Sequence, residues 1–573
     1  MSEPTLYQKL RWHAGRGKRW ARRRAYERSV GKEYRSWLAQ TTRVTAGSVD
    51  NTNQIAVIVP VYNPPIAFLT ACLDSVVNQS ARHWQLIVSD DGSTDADVIS
   101  YLDEFTSKYH QDSRVVVIRG DNGGISAAQN RGLERVTTKY FGWLDHDDQL
   151  NPTCFAEFSA AIEANPDVQI IYSDEDKIDT KGKHFELYCK PDFSPELLLT
   201  QMYLCHFTVF NTAMVREQGG FRSEMDGAQD FDLALRLLPQ LTNVFHIPRP
   251  LYHWRSWSES TAQSIDAKPW AQQAGARAQQ AYIDREFGGG TVVASSVKGL
   301  NEVHPKIKEQ VKVSVIIPTI GTKSKKSGTA MVNEAIATLR AQETNTDFEV
   351  IVVTTGELAP IPGADHQVIY STNSFNFAEA INLGRTAAHG EYLLILNDDT
   401  TAIEPQPITR LLEIGQNQQV GIVGAKLTYP DGRLQHVGMI MLPSGPTHPW
   451  IAKSGNEYGY FGATLTPRNY SAVTAAAALV RAELFDQMGG FDTLFARDFN
   501  DVDFCLRMRD RGYRVAWTPY AHFTHHEGAS IVRKKSDPRE LALFQERWAA
   551  KYAVDPYYSP ALKPDIERLY EAR

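Results

Sequence analysis

The chain has 573 residues, with 60 Lys plus Arg against 67 Asp plus Glu and 42% hydrophobic residues. That length allows three or four ordinary domains or two large α/β units, so a peptide-sized scaffold is excluded. The net charge of −7 argues against a protein that wraps nucleic acid, because neutralising phosphates requires a basic surplus. We expect a soluble, multidomain protein with no nucleic-acid partner.

The amino-terminal segment differs from the rest in charge. Residues 1–35 hold eleven basic and three acidic side chains, a local charge of +8. Aromatic and apolar residues recur on one face of a helix, at Tyr26, Val30, Tyr34 and Trp37. The pattern predicts an interfacial helix on an anionic membrane surface. The alternative is that the aromatic stripe packs on the first domain and the arginines are its solvated face.

Neither a signal sequence nor a membrane span is predicted. The first residues are polar, and no later run approaches the ~18 apolar residues of a membrane span. The five cysteines are scattered and never spaced C-x-x-C, which fits neither a zinc ribbon nor a disulfide framework. We expect a reduced, cytoplasmic protein that is peripheral on the inner face of the plasma membrane.

From residue 55 onward, short apolar runs alternate with amphipathic stretches. The runs are IAVIVPV (55–61), WQLIVSD (84–90), RVVVI (114–118) and YFGWLD (140–145). Alternation of strands and helices predicts an α/β fold, with a mostly parallel sheet covered on both faces.

The same pattern begins again at VKVSVIIPT (311–319), so the chain contains a repeat. Asn130 precedes Asp147 by 17 residues, and Asn382 precedes Asp399 by 17. Further on, GGFRSEMDGAQDFDLALRL matches GGFDTLFARDFNDVDFCLRM, and a histidine follows each match, His253 and His525. We predict two copies of one domain, with these boundaries: a basic extension at 1–50, a first domain at 51–290, a linker at 291–310, a second domain at 311–535 and a helical tail at 536–573.

Polar residues follow the predicted strands of the first copy, where an open parallel sheet has its ligand crevice. The first strand ends in Pro60-Val61-Tyr62-Asn63, the second in Ser89-Asp90-Asp91-Gly92-Ser93 and the fourth in Asp145-His146-Asp147-Asp148. Carboxylates at i and i+2 favour a divalent cation that bridges to phosphate oxygens. A solvated acidic turn or a helix cap is the alternative. The matched spacing in the second copy favours the metal.

Other nucleotide-dependent classes fit poorly. The sequence has no G-x-G-x-x-G after the first strand and no G-K-[ST] loop, which argues against dinucleotide oxidoreductases and P-loop nucleotidases. A sugar nucleotidyltransferase would need a Gly-rich basic loop where this chain has Tyr62-Asn63-Pro64-Pro65. A non-catalytic glycan-binding scaffold is a third reading, and the retained Asp147 and Asp230 argue against it for the first copy.

The ordered motifs resemble the inverting family-2 glycosyltransferases of GT-A fold, in particular the tandem-domain members that build bacterial surface polysaccharides such as O-antigens and rhamnans. The resemblance covers residues 54 to about 535. In the first half it rests on VIVPVYN, SDDGSTD, WLDHDD, GGF, AQDFDLALR and LYHWR. In the second half it rests on IIPT, LNDDT, SAVTAAAALVR, FNDVDFCLR and TPYAHFTHHE.

The resemblance implies sugar transfer with inversion from a nucleotide-diphosphate donor, linked to UDP, dTDP or GDP, onto a growing lipid-linked glycan. The cofactor would be Mg²⁺ or Mn²⁺. The site residues that it implies share three roles: catalytic bases Asp230 and Asp501; nucleotide-sugar contacts Pro60, Tyr62, Asp91, Asn130, Arg131, Asp145, Asn382 and Asp398; metal ligands Asp147, His253, Asp399 and His525.

Two departures from the family pattern stand out. Gln229-Asp230 replaces the common Glu-Asp and keeps the acting carboxylate. In the second copy, Thr354-Thr355-Gly356 has no carboxylate opposite Asp91, and Asn397 replaces Asp145. The second copy is therefore either a transferase with altered donor binding or a non-transferring glycan- or acceptor-binding module.

Overall fold

The computed structural model describes residues 55–572, except 258–268, 296, 298, 308–309, 325–327, 357–358, 371–374 and 527–535. The basic extension at 1–50, with its proposed aromatic helix, lies outside the described residues. No helix in the described ranges combines the length and the apolarity that crossing a membrane requires.

The first half folds around a nine-stranded sheet. Its strands are β1 Ile55–Val61, β2 Trp84–Asp90, β3 Val115–Arg119, β4 Tyr140–Trp143, β5 Gln149–Leu150, β6 Ile170–Ile178, β7 His184–Tyr188, β8 Thr208–Asn211 and β9 Val244–Arg255. Its helices are α1 Ile66–Val77, α2 Ala96–Tyr109, α3 Ile125–Arg135, α4 Cys154–Ala164, α5 Pro195–Thr200, α6 Thr212–Glu217, α7 Gln229–Leu237 and α8 Pro269–Phe287, with 3₁₀ turns at Ser223–Met225 and Leu238–Gln240.

The strand order is β3-β2-β1-β4-β8-β6-β9-β5, and β7 pairs with β6. Strands β3, β2, β1 and β4 are parallel, so their carboxyl ends meet at one edge. Strand β8 is antiparallel to both of its neighbours. Every residue of β1 is buried, as expected for a parallel strand that is covered on both faces.

The second half repeats this architecture in a ten-stranded sheet. Its strands are β12 Lys312–Thr319, β13 Asp347–Thr355, β14 His366–Tyr370, β15 Tyr392–Leu396, β16 Thr400–Ala402, β17 Val420–Thr428, β18 Leu434–His436, β21 Arg468–Asn469, β22 Ala477–Arg481 and β23 Arg514–His525, with a small hairpin of β19 Ile440–Leu442 and β20 Gly445–Thr447. Its helices are α9 Met331–Gln342, α10 Phe377–Arg385, α11 Pro407–Gly415, α12 Ala482–Gln487 and α13 Asn500–Asp510.

The order β14-β13-β12-β15-β22-β17-β23-β16 matches that of the first half strand for strand. The prediction of two α/β units with mostly parallel sheets is confirmed.

The segment between the halves is more ordered than the predicted polar linker. Strands β10 Gly290–Ala294 and β11 Asn301–Pro305 form an antiparallel hairpin. Its Val303 is buried in the core of the first half, and His304 Nδ1 lies 3.0 Å from Glu413 Oε2 of the second half. Alternating apolar residues give the hairpin a face to bury, which a count of polar residues does not reveal.

Side chains also join the two halves directly. The Arg514 guanidinium contacts the Glu196 carboxylate, with Nη2 2.9 Å from Oε1. Ser194 Oγ donates to Asn469 Oδ1 at 2.8 Å. The rings of Tyr188 and Phe461 stack with centroids 3.8 Å apart. The halves therefore share a mixed polar and aromatic interface.

The carboxyl-terminal tail contains one α-helix, α14 Pro538–Trp548, followed by turns and a 3₁₀ turn at Ile566–Arg568. Phe544 and Trp548 of α14 belong to the core of the second half. All five cysteines are free thiols, and four of them are buried.

Candidate functional site

Asp91 lies immediately after β2, and it is held by two kinds of donor. The backbone N–H groups of Gly123 and Gly124, at the start of α3, donate to its two oxygens at 3.1 and 2.9 Å. Arg131 of α3 forms an ion pair with the same carboxylate. A side chain at Gly120 would collide with the Arg131 guanidinium, so glycine there leaves room for this ion pair.

The loop after β2 is fastened to the end of β1. Asn63 Oδ1 accepts from the N–H groups of Thr94 and Asp95 at 2.9 and 3.0 Å. Pro60 accepts a contact from His146 Nδ1 at its carbonyl oxygen, 3.1 Å away, which ties β1 to the acidic turn after β4. The side chain of Tyr62 is exposed beside this loop.

The acidic turn after β4 places three carboxylates close together. Asp148 is fully buried and accepts from Tyr252 Oη and, at 2.6 Å, from the N–H of Arg255. Burial, and then the charges of Asp147 and Asp145, raise the pKa of Asp148 well above its ordinary value. The unfavourable proximity of these carboxylates is what a bound divalent cation would relieve.

Asp147 is oriented by residues that the sequence reading missed. Trp257 Nε1 donates to Asp147 Oδ2 at 2.6 Å, and Arg255 Nε donates to the Asp147 carbonyl oxygen at 2.7 Å. The Arg255 guanidinium also lies over the ring of Phe68. The motif LYHWR contained this arginine, but its spacing alone did not connect it to the acidic turn.

The predicted bases, Asp230 and Asp501, lie in the first turns of α7 and α13. Phe231 N–H donates to Asp230 Oδ1 at 2.7 Å, and Val502 N–H donates to Asp501 Oδ1 at 2.8 Å. Burial raises the pKa of both carboxyl groups, although these hydrogen bonds act in the opposite direction. A carboxylate with a raised pKa is a better proton acceptor near neutral pH.

The second copy brings its predicted polar residues to one cavity of about 530 Å³. Asn397, Asp398, Asp399, Asp501 and His525 all line it. His525 Nε2 lies 3.0 Å from Asp399 Oδ1. Asp398 Oδ2 accepts from Thr319 Oγ1 at 2.5 Å, and burial, aided by the charge of Asp399, raises the pKa of Asp398 to about 6.

Asn130 and Asn382 do not point to a ligand. Asn130 Nδ2 donates to the Phe221 carbonyl at 2.7 Å, and its Oδ1 accepts the Phe221 N–H at 2.9 Å. Asn382 makes the same pair of bonds with Phe491, both at 2.9 Å. Each amide therefore joins a helix to a Gly-Gly-Phe turn, and the predicted nucleotide-sugar contact is replaced by a structural role.

The structure also corrects the match between the two histidines. In the first sheet Gln149 pairs with His253, and in the second Thr400 pairs with His525. Since Asp148 corresponds to Thr400, His525 corresponds to Trp254, one residue beyond His253. A shift of one residue turns a side chain to the other face of a strand.

His253 consequently contacts another carboxylate. His253 Nδ1 lies 2.6 Å from Asp176 Oδ1, and His184 Nδ1 lies 2.8 Å from Asp176 Oδ2. Burial raises the pKa of Asp176, but the two histidines lower it further, below its ordinary value. These three side chains are spaced closely enough to hold a metal ion. The sequence reading missed Asp176 and His184.

Comparison with known proteins places the chain. The family described as "Glycosyl transferase family 2" matches residues 56–219 and 314–489, one stretch in each half. Over half of the chain matches, and both stretches carry the acidic turns described above. The chain belongs to glycosyltransferase family 2.

Two relatives align over nearly the whole chain. An uncharacterized protein, y4gI of Sinorhizobium fredii, is 35% identical over 94% of this chain and 60% of its own length. The O-antigen biosynthesis protein RfbC of Myxococcus xanthus is 32% identical over 92% of this chain and 42% of its own length. The chain thus spans about half the length of these relatives.

Among solved structures, TarS of S. aureus in complex with UDP-GlcNAc is similar to 41% of this chain and 73% of its own, with a TM-score of 0.32 and 16% identity.

Proposed function

We propose that this chain is a metal-dependent, inverting glycosyltransferase that moves sugar from a nucleotide-diphosphate donor to a hydroxyl of a lipid-linked bacterial surface polysaccharide. The observation that carries the proposal is that Asp399, His525 and Asp501 line one cavity of about 530 Å³, within the usual range for a small-molecule site. Membership of family 2 and the name of the RfbC relative agree with it.

The donor would bind at the carboxyl ends of the parallel strands. Asp145 and Asp147 in the first copy, and Asp399 with His525 in the second, offer the oxygen and imidazole ligands that Mg²⁺ or Mn²⁺ accepts. Such an ion, when bound, would neutralise the charge that grows on the departing diphosphate. In the first copy, Asp91 would accept hydrogen bonds from the nucleoside, beside Arg131.

Asp230 and Asp501 would act on the acceptor. The carboxylate takes the proton of the acceptor hydroxyl as that oxygen bonds to the anomeric carbon, and the bond from that carbon to the diphosphate oxygen breaks on the opposite face. One displacement inverts the anomeric configuration. The raised pKa of both carboxyl groups favours this proton transfer.

Both copies would transfer sugar, with different donor contacts. The second copy keeps a base, a carboxylate and a histidine around its cavity, but Thr355 and Leu383 stand where the first copy has Asp91 and Arg131. If the second copy is instead a glycan- or acceptor-binding module, loss of its base would leave the product unchanged.

The first experiment separates donor binding from transfer. UDP-, dTDP- and GDP-sugars are first screened for metal-dependent hydrolysis, which identifies the donor without an acceptor. Asp147→Asn and Asp399→Asn should then weaken metal-dependent donor binding in their own copies. Asp230→Asn and Asp501→Asn should leave donor binding nearly intact and each abolish one linkage, because the base acts only in the transition state.

Calorimetry measures donor binding, and NMR of the product measures the linkages. Asp284→Asn, on the exposed face of α8, is the matched control. Transfer by Asp230→Asn at the wild-type rate would refute the base assignment. A wild-type product from Asp501→Asn would show that the second copy does not transfer sugar.

Residues 1–38 would hold the enzyme at the anionic surface where a lipid-linked acceptor is found. Each basic residue near such a surface contributes about 1 kcal/mol at best, and several together suffice for reversible attachment. Deleting residues 1–38 should abolish salt-sensitive sedimentation with anionic vesicles and leave donor hydrolysis unchanged. Undiminished vesicle binding by the shortened protein would instead favour packing of the aromatic stripe on the first domain.

A further inference from the structure

A buried aspartate follows each proposed base by two residues, and the two copies stabilise it differently. In the first copy, Asp232 receives Arg236 from its own helix, with Nε 2.9 Å from Oδ2, and Arg222 from the Gly-Gly-Phe turn, with Nε 3.0 Å from Oδ2. In the second copy, Arg507 contacts Asp503 as Arg236 contacts Asp232. However, Asp492 stands where the first copy has Arg222, so the second cation must come from elsewhere.

The carboxyl-terminal helix supplies that cation. Arg547 Nη1 of α14 lies 2.6 Å from Asp503 Oδ1 and 2.8 Å from Asp492 Oδ2. Trp548 Nε1 donates to Asp503 Oδ1 at 3.0 Å. A guanidinium from the tail thus replaces the one that the first copy supplies from its own turn.

The same helix holds the loop that leads into Asp501. Glu540 Oε2 accepts from the N–H groups of Asp498 and Arg497 at 2.7 and 3.3 Å. Phe499 has a positive φ of 63°, which a bulky side chain rarely adopts, and its ring stacks on Phe544 with centroids 4.7 Å apart. The three loop residues line the cavity next to Asp501.

The repeat explains why the tail performs this work. Helix α14 follows β23 in the second half as α8 follows β9 in the first, and α8 packs against α7. The second unit therefore includes the tail, and a boundary at residue 535 would divide it.

We propose that α14 is part of the second transfer site, and that Glu540 and Arg547 are positioning residues that hold the Asp501 carboxylate toward the cavity. The proposal rests on the role of Asp501 given above. Neither residue needs to touch donor or acceptor. Each acts through the loop or the helix that carries Asp501, so its loss should affect kcat more than donor affinity.

The test uses the full-length protein and compares the two linkages in one product. Glu540→Ala and Arg547→Ala should lower kcat for the second linkage by about tenfold or more, because small displacements of a catalytic group are costly. The KM for the donor and the first linkage should not change. Glu546→Ala, on the exposed side of the same helix, is the control.

A rescue variant separates positioning from folding. Asp492→Arg combined with Arg547→Ala rebuilds the arrangement that Arg222 and Asp232 have in the first copy, and should restore kcat for the second linkage. Unchanged kcat in both alanine variants, with the second linkage lost in Asp501→Asn, would overturn this proposal. So would a failure of the double variant to recover activity while remaining folded by circular dichroism. Retention of the second linkage in Asp501→Asn would refute the proposed function instead.

Discussion

At the scale of single residues, the ion pair of Asp91 with Arg131 is present in the first copy and lost as a unit in the second. Thr355 and Leu383 occupy the two positions. Asp91 is only 4% exposed, so removal of the arginine alone would leave a buried charge without its partner. Breaking one side of such a pair is usually more destabilising than replacing both. Joint replacement is therefore the physically inexpensive route to a different donor pocket.

Asp398 should make the stability of the second copy depend on pH. Its pKa is about 6 in the folded protein, against 3.8 for the ordinary carboxyl group. The folded state keeps a proton that the unfolded state releases, so stability should fall by about 3 kcal/mol as pH rises from 4 to 6 and then level off. Asp398→Asn should remove this fall. Urea unfolding at several pH values, in the presence of a chelator, measures it.

Asp431→Asn serves as the control for this experiment. Asp431 is exposed, and hydrogen bonds from Arg433 lower its pKa, so its titration lies below the window in question. The prediction for Asp398 is wrong if the Asn variant shows the same fall in stability between pH 4 and pH 6 as the wild type.

Individual carboxylates were predictable because they follow recognisable strands and repeat at matched spacing. Their partners were less accessible to sequence reasoning. Trp257 reaches Asp147 across 110 positions, and Arg547 reaches Asp503 across 44. Such contacts depend on how whole elements pack. The histidine register was recoverable, since the residue 24 positions after Asp230 is Trp254 and the residue 24 positions after Asp501 is His525.

At the scale of elements, an asparagine clamp joins helix to turn in both copies. Asn130→Ala should leave the N–H and carbonyl of Phe221 without their side-chain partners, at a cost of about 2 kcal/mol in unfolding free energy. Donor affinity should not change, because the amide has no remaining group directed at a ligand. Denaturant unfolding and donor titration test the two statements. Gln280→Ala, an exposed glutamine on α8, controls for nonspecific effects.

A loss of donor affinity with unchanged stability would return Asn130 to the nucleotide-sugar site, as the sequence first indicated.

Element positions were predictable where strands are parallel and wholly buried. The run at residues 55–61 coincides with β1, and that at 84–90 with β2. Strands such as β6, with acidic residues in SDEDK, lack a continuous apolar run. Their carboxylates are buried only because lysine and histidine side chains from other elements neutralise them, as Lys190 does for Glu175. Period and hydrophobicity do not reveal such strands.

At the scale of the whole molecule, the Glu196–Arg514 pair should couple the unfolding of the two halves. The Glu196 side chain is 8% exposed, and Arg514→Ala would leave it buried and unpaired, at a cost of about 3 kcal/mol. We expect calorimetry of the variant to resolve two transitions where the wild type shows more cooperative unfolding. Arg511→Ala, on the exposed side of the second half, is the control.

Identical calorimetric traces for Arg514→Ala and the wild type would mean that the aromatic contacts, such as Tyr188 on Phe461, couple the halves without help from the ion pair.

The burial of the cysteines has a practical consequence for measuring motion. Burial raises the pKa of every native thiol, that of Cys505 to about 12, so the reactive thiolate is scarce at neutral pH. A cysteine introduced at Leu494, which is 64% exposed, should therefore react with a maleimide dye well before any native thiol. A fluorophore placed there could report donor-dependent movement near the Asp501 loop without a cysteine-free background.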